Sequence, residues 1–208
     1  MERLARGPAR DCRAWGLIAA VVVASTGTGC ASAASWRPLR TVPVDAVVLP
    51  VEGRLQEGDR CGPNALAILF AAAGVPINEP SIAQAVQHDR LNGSLNIDLV
   101  LFARAQGFPA RFETGTVDRV IQQIENRTPS LLMVRLERRS KWGIHKERLW
   151  HYIVVYGFSR AEHVFLAHSG WGPRRINFDE VDTPWSGAGY WMMDLGKPIS
   201  VATRLGYD

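Results

Sequence analysis

Three residues of this 208-residue chain have the types and placement to do chemistry together: Cys61, His151 and His168. Cysteine reacts as its thiolate, so a nucleophilic role needs a base in hydrogen-bond reach, a group that orients the base, and donors for a developing oxyanion. Cys61 opens a stretch running to Gly74 that carries no charged side chain. Pro63 suits the first turn of a helix there, and Gly74 its C-terminal cap. Unpaired N–H groups and the positive dipole end at such an N-terminus favour a thiolate. A second reading is open on these residues alone, a small buried hydrophobe, because free cysteine is among the most buried residue types. His151 begins an apolar strand that runs to Gly157, and His168 ends the next one, from His163. Antiparallel pairing across a turn at 159–162 would bring the two imidazoles to one edge. His145, His151, His163 and His168 show no recognised ligand spacing beside one available thiol, so neither a metal nor a cofactor is expected.

The count of thiols depends on the N-terminus. Arg3, Arg6, Arg10 and Arg13 precede an apolar run from Trp15 to Ala24, followed by small residues leading into Gly29-Cys30. That run is shorter than the about 20 residues that span a bilayer and fits the core of a signal peptide. Residues 1–29 are therefore expected to be a lipoprotein-type signal, with Cys30 the acylated first residue of the mature chain. Cleavage near Ala31-Ser32-Ala33 by the ordinary signal peptidase is the alternative, giving a soluble periplasmic or secreted protein. Acyl chains would hold the protein on a membrane surface without a transmembrane helix. Cys12 leaves with the signal and Cys30 carries lipid, which leaves Cys61 as the one thiol with no disulfide partner to explain it.

The elements that must position these residues follow in order. Residues 30–54 read as a tether leading into an edge segment, and 197–208 as a tail. Between them, 55–196 forms the domain. Helices are expected from Cys61, over 78–86 with Asn78 as cap, over 96–107 with Asn96 as cap, and over 116–125, where Val117, Val120, Ile121 and Ile124 share one face. Residues 91–94 read as a loop and 109–113 as a short strand. Strands follow at 130–136, 151–157, 163–168, 174–178 and 190–195, with a polar excursion over 137–149 and a helix near 179–185. Helices first and strands after is the α+β pattern.

Composition excludes little else. The hydrophobic share of 47% and charged share of 21% are those of a globular domain. The net charge of +4 shrinks to +2 once the signal segment is set aside. The one basic patch, at 138–141, is not interleaved with aromatics, so no nucleic-acid partner is expected.

Cys61-Gly-Pro-Asn-Ala-Leu-Ala67 together with His151-Tyr-Ile-Val-Val-Tyr-Gly157 resembles the C39-like cysteine peptidases, a family of papain-like fold. The ending, His168-Ser-Gly170 followed by Ala188-Gly-Tyr-Trp191, is similar to a lipoprotein subgroup found in Gram-negative bacteria. The resemblance covers about Leu55 to Leu195. It implies N-terminal helices packed on a C-terminal antiparallel sheet, Cys61 as nucleophile, His151 as base, and Gln56 as an oxyanion donor five residues upstream of the cysteine. His168 stands where the family usually has Asp, and so takes the orienting place, with Asp179 and Asp182 as other candidates. The implied activity is a cell-envelope peptidase acting on a peptide or protein through a thiolate–imidazolium pair and an acyl-enzyme. Two alternatives stay open, a catalytically impaired peptide-binding lipoprotein and an acyl or peptidyl transferase. Exporter-type members cleave leader peptides after a double glycine. The resemblance covers only their peptidase portion, so that substrate is not carried over.

Overall fold

A computed structural model describes residues 36–139 and 146–197. The signal segment, Cys30, His145 and the tail beyond Lys197 lie outside the described residues. Two short strands come first, β1 (Arg37–Pro38) and β2 (Val47–Val48). Helix α1 (Cys61–Ala72) and helix α2 (Glu79–Val86) follow, then a small hairpin of β3 (Gln87–His88) and β4 (Gly93–Ser94). Next are α3 (Asn96–Ala105), β5 (Arg111–Thr114) and α4 (Val117–Glu125). The C-terminal half contains β6 (Ser130–Arg139), β7 (Lys146–Ser159), β8 (Val164–His168), β9 (Pro173–Asn177), α5 (Phe178–Ser186) and β10 (Trp191–Asp194). The main sheet has the order β1-β9-β8-β7-β6-β10-β5, with β2 also paired to β7, and its pairs are antiparallel.

Helices cover both faces of that sheet. One layer is made by α1, α2 and α3, which bury Leu66, Phe70, Ile82 and Leu99 against Leu131, Tyr152, Val154 and Met193. The other is made by α4 and α5, which bury Ile121, Ile124, Val181 and Trp185 against Leu132, Ile153 and Met192. Consecutive strand residues point to opposite faces. A strand buried on both faces is therefore apolar at every position, which accounts for the unbroken run Tyr152 to Tyr156.

Local chemistry sets the element ends. Helix α1 ends where Gly74 adopts φ +77°. The Gly74 N–H then bonds the Ala71 carbonyl and the Val75 N–H the Phe70 carbonyl, the paired bonds of a Schellman motif. The Thr116 side chain accepts from the Arg119 N–H at 3.1 Å and caps α4, whose apolar stripe lies in the core as its spacing indicates.

Four expectations need correction. Residues 36–54 are not a loose tether: Trp36 and Leu49 are buried in the core, and β1 and β2 pair with β9 and β7. The described parts of the polar excursion, 137–139 and 146–149, are strand, because β6 and β7 stay paired as far as Arg139 and Lys146. Asn96 is the first helical residue of α3 rather than its cap, and its side chain is engaged by Tyr152. Residues 93–94 form a strand, not a loop, since they pair with Gln87 and His88.

Candidate active site

Helix α1 packs onto β7 with its first turn against the middle of the strand. Gly62 permits this contact, because a Cβ there would lie 2.9 Å from the Ser94 side chain and 3.4 Å from the Tyr152 ring. The Tyr152 hydroxyl lies 3.1 Å from the Ser94 carbonyl and 2.5 Å from Asn96 Oδ1, which fixes β4 and α3 beside the same turn. The Cys61 sulfur lies by the main-chain N–H of Tyr152, the residue after His151. Burial pushes the Cys61 thiol up, against the pull of the N–H groups of Tyr152, Gly62 and Cys61 itself, with Asp59 adding a small upward push. Desolvation thus outweighs the helix N-terminus, and the thiol is the resting form.

His151 is 1% exposed. Its Nε2 lies 2.7 Å from the main-chain carbonyl of Ser169. A carbonyl only accepts, so Nε2 carries the proton and the Nδ1 lone pair is left to act as a base. The Trp171 indole stacks on the imidazole, with ring centres 4.4 Å apart and planes 5° from parallel. Burial lowers the His151 pKa to about 4, and the Ser169 carbonyl opposes it weakly. Burial thus disfavours both charged forms of the pair expected from the sequence, the thiolate and the imidazolium.

His168, expected as the orienting group, makes no contact with His151 that would hold its ring among the described residues. The ladder sets it opposite Val154, three residues along β7, and no hydrogen bond joins the two imidazoles among the described residues. Its ring lies against Gly53, where a Cβ would come within 1.5 Å of His168 Nε2, and its Nδ1 is buried without a partner. Burial, then Arg174, lowers its pKa. Neither alternative carboxylate replaces it: Asp182 accepts from the Tyr190 hydroxyl at 3.0 Å, and Asp179 lies in the first turn of α5.

Gln56 lies next to the turn that carries Ser169. Its main-chain N–H donates to the Gly170 carbonyl at 2.8 Å, but its side-chain Nε2 donates to the Gly58 carbonyl, also at 2.8 Å. Its Oε1 is buried without a partner. The amide expected as an oxyanion donor is thus committed within its own loop. Asn64, one turn into α1, donates to the Arg54 carbonyl at 3.3 Å and ties that loop to the helix.

Ser169 and Trp171 were not among the expected site residues. The glycines and proline of 170–173 signal a turn, but a main-chain acceptor has no side-chain signature. An apolar groove of about 570 Å³ opens beside Tyr152, lined by Leu95, Ile97, Met133 and Trp150. Among the described residues no group of three His, Cys, Asp or Glu side chains gathers to hold a metal ion.

No protein-family model and no curated protein matches the chain. Its architecture is shared with several solved structures. A protein from Bacillus anthracis assigned as a C39-like peptidase superposes with a TM-score of 0.55 at 13% identity, over 74% of this chain and 97% of its own. The peptidase domain of Streptococcus ComA, a bifunctional ABC transporter of a quorum-sensing pathway, gives 0.51 at 18% identity, over 70% and 96%. A double-glycine-motif protease from an AMS/PCAT transporter, solved in complex with the leader peptide, gives 0.52 at 17% identity, over 73% and 94%. The chain has the papain-like α+β fold of C39-like peptidase domains.

Proposed function

We propose that this protein is a cysteine peptidase in which Cys61 is the nucleophile and His151 the general base. One observation carries the reading: the Cys61 sulfur sits beside the strand residue that follows His151, whose remaining ring nitrogen is a lone-pair acceptor. As Sγ attacks the scissile carbonyl carbon, Nδ1 takes the thiol proton. The tetrahedral oxyanion forms near the N–H groups at the start of α1, and Gln56 joins them on release from Gly58. The imidazolium then protonates the leaving amine, the C–N bond breaks, and a thioester remains on Cys61. Water, deprotonated at Nδ1, releases the acid and restores the thiol.

The groove by Tyr152 suits an apolar side chain of a peptide substrate. A bound leader peptide in one of the similar structures agrees with a peptide ligand. An electrophilic peptide carrying an apolar side chain tests the reading. The expected result is a mass increase by one peptide on Cys61 in the wild type and none in Cys61→Ala. No adduct on Cys61, with binding of a non-reactive peptide retained, would leave the peptide-binding alternative. With a peptide ester as acyl donor instead, release of the acyl group from the Cys61 thioester to an added amine faster than to water would favour the transferase.

We further propose that the protein is held on the cell envelope through lipid on Cys30. Cys30→Ser expressed in a bacterium is expected to move from the membrane to the soluble fraction. A variant that stays membrane-bound contradicts the anchor.

A further inference from the structure

We propose that the Ser169–Gly172 turn, with Trp171 as its positioning residue, takes the orienting place that the resemblance assigns to an acidic side chain. The inference rests on the peptidase reading and adds a residue to it. Three contacts from one turn converge on the site. The Ser169 carbonyl accepts the His151 Nε2–H at 2.7 Å, which sets the tautomer. The Trp171 ring lies parallel on the imidazole at 4.4 Å, which sets its plane and covers the hydrogen bond from water. Gly170 holds the loop of Gln56, by the 2.8 Å main-chain bond and by a contact so close that a Cβ would lie 2.2 Å from Gln56 Oε1.

The turn is itself braced. Gly170 has φ +73°, a conformation that glycine adopts at no steric cost. Arg174 on β9 donates to the Trp171 carbonyl at 3.0 Å and to Ser169 Oγ at 3.4 Å. The titratable groups on the elements packed about His151 are Cys61, at the Tyr152 N–H, His168, next to Ser169 in the chain, and Arg174, which bonds Ser169 Oγ. None of them contributes to its shift, which arises from burial and the Ser169 carbonyl. A carbonyl dipole brings orientation without a full negative charge, so this device fixes the base but gives the imidazolium little support. Trp171 is 44% exposed, so its replacement leaves the core intact.

The test is an NMR titration of the His151 imidazole in wild type, Trp171→Ala and Trp171→Phe, alongside the rate of Cys61 modification by the electrophilic peptide. In the wild type, Nε2 is expected to carry the proton and the midpoint to lie near pH 4. Trp171→Ala is expected to raise the midpoint by about one pH unit or more as water reaches the ring. It is also expected to slow modification about tenfold or more through misplacement of the base. Trp171→Phe, which keeps the stack, retains the wild-type midpoint and rate. A folded Trp171→Ala protein with unchanged midpoint and rate overturns the proposal, and so does a Phe variant that behaves like Ala. The peptidase reading fails separately, if wild-type modification does not depend on His151 at all.

Discussion

Replacement of His151 by asparagine is expected to slow the reaction of Cys61 with an electrophilic peptide by about 10²–10⁴-fold at neutral pH. The size follows from the resting state of the site. Burial raises the thiol pKa, so little thiolate exists at neutral pH without help. Helix α1 places partial positive charge at the sulfur, but Cys61 has lost much of its contact with water, and that loss outweighs the dipole. In the proposed mechanism the proton leaves during attack, and the acceptor is the Nδ1 lone pair of His151, the residue before Tyr152, whose N–H lies by the sulfur. Asparagine is neutral at every pH of interest and supplies no base. The measurement is the second-order rate constant for loss of free thiol, with circular dichroism to verify the fold. A variant that reacts at the wild-type rate would remove His151 from the mechanism.

The second large effect is on stability in acid. The folded pKa of His151, about 4, lies below the ordinary value of 6.5. Between those values the unfolded chain binds the proton and the folded chain does not. The stability contributed by the neutral buried ring is complete above pH 6.5 and is lost as pH falls through 4. The shift corresponds to about 3 kcal/mol. Asp194 works in the opposite sense, since burial raises its pKa and protonation relieves that cost. Comparison with His151→Asn isolates the imidazole. Urea unfolding at pH 7 and pH 4 is expected to show a loss in the wild type that exceeds the variant's by about 3 kcal/mol. Equal losses would mean that His151 is hydrated or stabilised as a cation.

Much of the fold is written locally. The apolar run from Cys61 with Pro63 inside its first turn, the Gly74 stop and the stripe Val117-Val120-Ile121-Ile124 are short-range patterns, and each forms the helix it encodes. The cleft chemistry is less legible, for three physical reasons. The seat of Trp36 and Leu49 in the core depends on pairing with strands more than a hundred residues away. The β6–β7 arm is polar because it leaves the body of the sheet, and polarity alone resembles a loop. The hydrogen-bond partner of His151 is a main-chain carbonyl, which every residue has, so no side-chain type marks it. The balance between a helix dipole and desolvation likewise depends on how deeply the first turn of α1 is packed, which no motif encodes.

The most direct test is the pH profile of Cys61 modification by the electrophilic peptide, in wild type and in His151→Asn. The wild-type rate is expected to rise through about pH 4, as the imidazole loses its proton, and to hold level through neutrality. In the variant that limb is absent, and the rate climbs only in alkali with the thiolate of a cysteine whose pKa burial has raised. A wild-type profile that follows the alkaline thiolate alone, and that coincides with the variant's, would contradict a Cys61–His151 catalytic pair.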